Sequence, residues 1–106
     1  LALPTQNGFS LVNINQIVRM EADGSYTIFV MENGERLMVS KILKEYNDLL
    51  ADDTTFIRVH RSHLINSHFI KKIIRGKTPS IEMLDAAVLT VSAAKKDAIF
   101  KDLLGT

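Results

Sequence analysis

Cysteine is absent from these 106 residues. That removes a disulfide framework, a thiolate metal site and a thiol nucleophile together. It also suits a reducing cytoplasm, which is the expected location. Long apolar runs are missing: none approaches the ~18 residues of a membrane span. No secretory leader is visible. The chain opens at Leu1 rather than Met, which reads as a piece excised from a longer protein. Low-complexity tracts and internal repeats are also missing, so nothing argues for disorder or a solenoid. Catalytic signatures are lacking as well. There is no Gly-rich phosphate loop, no G-x-S-x-G and no H-E-x-x-H. Asp52 and Asp53 are neighbours at a helix exit, a solvation pattern rather than an acid/base pair. The expectation is a non-enzyme without a cofactor.

What is present is a chain 46% hydrophobic, enough for one core and too short for two. One domain spanning 1–106 is expected. The total charge of +1 hides a strong asymmetry. The window Phe56 to Lys77 holds Arg58, Arg61, Lys71, Lys72, Arg75 and Lys77, all three histidines and no carboxylate. It carries +6 and the remainder −5. A solvated surface normally mixes signs, so the group points to a polyanion.

The hydropathy pattern predicts mainly strands. Leu1 to Gly8 is read as a lead-in and Phe9–Val12 as a first strand. Ile17–Ala22 alternates as a half-buried strand does. Asp23-Gly24 and Asn33-Gly34 are hairpin signals, placing strands at Ser25–Met31 and Glu35–Val39. The period then shifts. Ile42, Leu43, Tyr46, Leu49 and Leu50 form one apolar helical face, with Ser40 as its N-cap. Phe56–Val59 is a strand ending in a His60-Arg61-Ser62 turn. Leu64–Asn66 leads to a strand at Ile70–Ile74 and a basic turn, Arg75-Gly76-Lys77. Ser80–Met83 and Ala87–Val91 make the last hairpin. Ser92 is read as the cap of a final helix from Ala93 to Leu104, packed by Ala98, Ile99, Leu103 and Leu104. Sequential hairpins predict an antiparallel sandwich with one central amphipathic helix and a C-terminal helix.

Arg61-Ser62 sits where a strand ends. A guanidinium there suits a guanine edge or a phosphate, and a serine hydroxyl suits a phosphate. The bland alternative is an ion pair from Arg61 to Glu21 or Asp23. For Tyr26 the default is core, since Ile28 and Val30 share its parity; a phosphate contact at the rim is the other reading. His60, His63 and His68 are spaced H-x2-H-x4-H, which matches no strong metal pattern. Backbone hydrogen bonding at strand ends is the better reading for them, and turn formation for Asn66. No metal site is expected.

Three segments carry a resemblance: Glu21-Ala22-Asp23-Gly24-Ser25-Tyr26, Val39-Ser40-Lys41-Ile42-Leu43-Lys44, and Phe56-x-Arg58-Val59-His60-Arg61-Ser62-His63-Leu64-Ile65-Asn66. With Val91-Ser92 before the last helix, the chain resembles the LytTR-type DNA-binding domains of bacterial response regulators. The resemblance implies an elongated sandwich of three small antiparallel sheets. It implies loops, not a recognition helix, entering successive major grooves of double-stranded DNA, usually at paired direct repeats. It implies a dimer on DNA, a two-component system and an N-terminal receiver domain outside this chain. By position, the DNA-facing loops fall at Ser25 and Tyr26, at Arg61 and Ser62, and after Ser92. Arg61 is expected to read bases. Ser25, Tyr26, Ser62, Lys77, Lys95 and Lys96 are expected to hold the backbone. Similar proteins commonly carry two arginines after that last serine; here Ala93 and Ala94 stand there, followed by the two lysines. The rival readings are a β-module that binds an acidic protein through its basic face, and a metal-assisted hydrolase using the histidines.

Overall fold

The computed structural model describes residues 1–105. Its extents are 45 × 25 × 24 Å, an elongated body. The central layer is a five-stranded antiparallel sheet. Its strands are β3 (Ile17–Asp23), β4 (Tyr26–Met31), β5 (Arg36–Val39), β6 (Phe56–His60) and β7 (His63–Asn66), in the order β5-β4-β3-β7-β6. A two-stranded hairpin, β1 (Ala2–Thr5) with β2 (Gly8–Leu11), and helix α1 (Leu43–Leu49) lie on one side. A three-stranded sheet, β8 (Ile70–Ile74), β9 (Ser80–Met83) and β10 (Val88–Thr90), lies on the other, with helix α2 (Lys96–Leu104).

Two cores follow from this layering. Ile17, Met20, Phe29, Leu64, Leu43, Tyr46 and Leu3 fill the first. Val18, Val59, Ile65, Ile81, Met83, Leu89 and Ile99 fill the second. A sheet buried on both faces gives runs of apolar residues instead of alternation. In β3 a bulge between Ile17 and Arg19 switches the parity. Ile17 and Met20 thus enter one core while Val18 enters the other. Phe29 and Tyr46 meet edge to face at 4.8 Å, which fixes α1 on the sheet.

Several expectations are corrected. The lead-in is a strand: β1 pairs with β2 and buries Leu3. Ser40 does not cap α1. Ile42 is the capping position, no side chain caps it, and the helix starts at Leu43. Of the expected apolar face, Leu43, Tyr46 and Leu50 are buried; Ile42 and Leu49 stay 47% and 63% exposed. Likewise α2 begins at Lys96, with Lys95 at the cap position and no side-chain cap. Ser92 instead starts a turn, its carbonyl accepting from Lys95 N–H at 3.1 Å. Ile99 is buried and Leu103 partly so, whereas Ala98 and Leu104 are exposed. Gly105 leaves the helix at φ 70°, the left-handed turn expected there.

Candidate nucleic-acid interface

The registers determine which loops share an end. β3 and β4 meet at Asp23 and Tyr26, and Val39 lies opposite Thr27. So the β3–β4 turn and the β5–α1 loop sit side by side. Ala22 N–H donates to Ser62 carbonyl at 2.9 Å, which sets the β6–β7 turn beside them. Ser92 N–H donates to Val59 carbonyl at 2.8 Å, and Val91 N–H to Pro79 carbonyl at 2.9 Å. These two bonds bring the β10–α2 and β8–β9 loops to the same end. All five connections therefore crowd one pole of the molecule, at one end of the strands.

The charge divides between the poles. At this pole the loops carry Lys41, Arg61, Arg75, Lys77 and Lys95, against one carboxylate, Asp23. The opposite pole holds the β4–β5 turn with Glu32 and Glu35, the α1–β6 loop with Asp52 and Asp53, and the β9–β10 turn with Asp85. Those three turns contain no lysine or arginine. An anionic rod approaching such a body is turned toward the cationic pole.

Two shallow grooves of about 410 Å³ each flank Arg61. One is lined by Lys44, Asn47, Asp48, Arg58, His60, Ser92 and Lys95. The other is lined by His60, Lys77, Thr78, Pro79, Thr90, Ser92 and Ala93. Arg61 is exposed and forms no ion pair among the described residues, so the pairing with Glu21 or Asp23 does not occur. Glu21 is taken by Arg36 at 2.7 Å and Arg19 at 3.4 Å. The turn that displays Arg61 is stiffened from beneath. Arg58 Nε donates to His60 carbonyl at 2.9 Å, and its Nη2 donates to Arg61 carbonyl. Burial pushes the Arg58 pKa down, with Asp48 opposing the shift. Ser62 N–H donates to His60 Nδ1 at 3.1 Å, the strand-end role expected of a histidine. Ser62 therefore has its backbone engaged on both sides, and only its hydroxyl is uncommitted among the described residues.

Ser25 is exposed in the β3–β4 turn, which Gly24 makes with φ 59°. Tyr26 is 44% exposed and is not core. On its face of β4, Val30 is buried and Ile28 half-buried, so burial falls off toward the turn. The structure thus brings Arg61, Lys77 and Lys95 around adjoining grooves, with Ser25, Tyr26 and Ser62 at the same pole. Lys96 is exposed on the first turn of α2 and lines neither groove. Lys71 is elsewhere, 3.6 Å from Glu82 on the outer sheet. Sequence reasoning missed Lys44 and Asn47, which α1 presents to the first groove, and Lys41, whose carbonyl accepts from Thr27 Oγ1 at 2.7 Å. The wet-side placement of Lys44 on the helix was the available signal. Asn66 also does more than form a turn. It is buried, its Nδ2 donating to Ile17 carbonyl at 3.0 Å and its Oδ1 accepting from His68 N–H.

The largest concavity, about 810 Å³, lies between the α1 exit, β6, β8 and α2. Its walls are mostly Phe56, Ile57, Ile70, Ile73 and Leu103, with two carboxylates, Asp53 and Asp102, against one cation, Arg58, a balance that does not favour a polyanion. No cluster of three metal-ligating side chains occurs among the described residues.

Residues 7–104 match the family model for the LytTr DNA-binding domain. The chain belongs to the LytTR family. A solved LytTr DNA-binding domain from Bacillus cereus, described as that of a methyl-accepting/DNA response regulator, superposes with a TM-score of 0.75. It is 27% identical, and the match covers 100% of this chain and 96% of that one. Two curated relatives are heme-containing CO-sensing transcriptional regulators of Paraburkholderia xenovorans. RcoM 2 is 30% identical over 97 residues, 90% of this LytTR domain and 36% of the relative. RcoM 1 is 28% identical over 102 residues, 94% and 38% respectively. The chain thus spans just over a third of their length. No helix among the described residues of this LytTR domain is long and apolar enough to cross a membrane.

Proposed function

We propose that this LytTR domain binds double-stranded DNA sequence-specifically as the effector part of a transcriptional regulator, without enzymatic activity of its own. The observation that carries the reading is the polar division of charge: five loop cations at one pole, five turn carboxylates at the other. The family membership and the regulator relatives point the same way.

In this reading the loops, not a helix, approach the duplex. Arg61 projects from a braced turn and reads a base edge in a major groove. The geometry of a guanidinium favours guanine O6 and N7. Lys77 and Lys95, one to each side, hold phosphates. Ser25, Tyr26 and Ser62 position the neighbouring backbone from the β3–β4 and β6–β7 turns. Lys96 contributes longer-range attraction. Ala93 lines the second groove without a donor, so its methyl can only meet a thymine methyl. Preference at that subsite is therefore weaker or shifted toward thymine. Paired direct repeats, with two copies bound together, and a receiver domain as the input module complete the proposal. A cytoplasmic site of action goes with it.

The test is selection of bound sequences from a random duplex pool, followed by titration of the winner. Arg61→Ala should relax the preference at one position by about 1–3 kcal/mol. Equal binding of the winning duplex and its scrambled version by the wild-type chain would sink sequence-specific recognition. Saturable binding of an acidic protein in its place would establish the rival role for the basic pole.

A further inference from the structure

The groove between α1 and the Arg61 turn contains one feature that the reading above does not use. Asp48 is the sole carboxylate among the residues lining it. Around it stand Lys44, Arg58, Arg61 and Lys95. Lys44 Nζ donates to Asp48 Oδ2 at 2.7 Å. Both side chains are well exposed, at 72% and 61%.

Asp48 is badly placed for the helix itself. It lies in the last turn of α1, where the carbonyl end of the helix disfavours a negative charge. The pair also runs lysine first and carboxylate four residues later, the weaker orientation along the dipole. An exposed pair of this kind contributes little to stability. Beyond favouring the charge on the half-buried Arg58, Asp48 does little for the fold, and it lowers the positive potential of a groove that faces the proposed ligand.

We propose that Asp48 is an internal stand-in for a DNA phosphate, holding Lys44 until the duplex arrives and thereby limiting affinity. This rests on the DNA-binding reading and deepens it by making α1 part of the footprint. When a phosphate enters the groove it takes Lys44 Nζ, and Asp48 turns to solvent. The exchange trades one ion pair for another, so the lysine gains less than an unpaired lysine would. The penalty falls on every duplex alike, because phosphates carry no sequence. Asp48 sets how tightly the domain holds DNA in general; Arg61 sets which DNA.

The experiment measures binding of the full 106-residue chain to a short mixed-sequence duplex across a salt series, by fluorescence anisotropy. Asp48→Asn keeps the shape and removes the charge. It should tighten binding about three- to tenfold at low salt, the scale of one exposed phosphate contact. The log–log salt slope should stay close to the wild-type value, because Lys44 neutralises the same phosphate in both chains. Adding Lys44→Ala to Asp48→Asn should abolish the gain in affinity and make the slope shallower by about 0.9. The thermal midpoint of Asp48→Asn should be unchanged or higher, where a structural role for the pair would lower it. Unchanged or weaker binding by Asp48→Asn overturns the proposal. So does a gain in affinity that survives Lys44→Ala. Failure of the wild-type chain to bind duplex at low salt would instead count against the DNA-binding reading itself.

Discussion

Replacing Asp85 with alanine should unlatch the two sheets from each other. Arg19 lies between them with its side chain only 7% exposed. Its Nε donates to Asp85 Oδ2 at 2.9 Å, across from the β9–β10 turn. At an effective dielectric of ~20, charges at that distance attract by about 6 kcal/mol before desolvation is counted. Desolvation consumes most of that, so the pair itself adds little. Removing one partner is different, because it strands a buried charge and costs about 3–5 kcal/mol. Glu21 remains 3.4 Å from the guanidinium, which places the loss at the lower end. For a domain of this size, ~3 kcal/mol corresponds to a fall in Tm of roughly 12–24 °C. Urea unfolding should show the loss as a lower midpoint with an unchanged slope. Arg19→Met combined with Asp85→Ala should recover much of it, since no charge is then stranded. A loss below about 1 kcal/mol for Asp85→Ala, or a double variant no better than the single, refutes the reasoning.

Other expectations follow from single contacts. Tyr46 Oη is buried with no hydrogen-bond partner among the described residues, so Tyr46→Phe should stabilise by about 1 kcal/mol in urea unfolding; destabilisation would show that the hydroxyl has a partner in solution. Lys77→Ala should weaken all duplexes alike and shallow the salt slope by about 1, while Lys71→Ala, at the Glu82 pair, should change neither; equal effects from both would dissolve the distinction between pole and flank. Burial, with His60 and Arg19 nearby, pushes the His63 pKa below its ordinary 6.5 although Glu21 opposes the shift. The unfolded chain then binds the proton more readily, so stability rises with pH up to about 6.5 and falls on acidification. His63→Gln should flatten that acid-side loss in unfolding midpoints, and parallel curves would contradict it. Asp53, held low by Thr55 N–H and Oγ1 bonds, adds a loss in the same direction only as pH falls below its ordinary 3.8.

Much of the molecule could be read from the order of its residues. Asp23-Gly24 and Asn33-Gly34 mark hairpins because their backbone must turn where a side chain is strained, and both turns occur. The carboxylate-free stretch from Phe56 to Lys77 marks a local excess of positive charge, and Arg61 stands on it with no ion pair among the described residues. These are local properties, and local chemistry is what a linear sequence records.

Tertiary structure decided the rest. A bulge in β3 reversed which face Val18 and Met20 present, and no count of alternating residues detects a one-residue slip. Tyr26 lies outside the core because burial on its face of β4 falls away from Val30 through Ile28 to the turn, which residue parity does not record. Arg58 belonged to the basic window by sequence, yet the fold spends it on bracing the Arg61 turn. Lys44 and Asp48 are four residues apart on α1, and only the fold sets them in one groove with Arg58 and His60 of β6. The gathering of five loops at one pole follows from antiparallel register, which sends alternate connections to opposite ends, and from the Ser92–Val59 backbone bond that ties the separate three-stranded sheet to the central one. Residue order determined the charges and turns; the pairing of distant strands determined that the cations would meet.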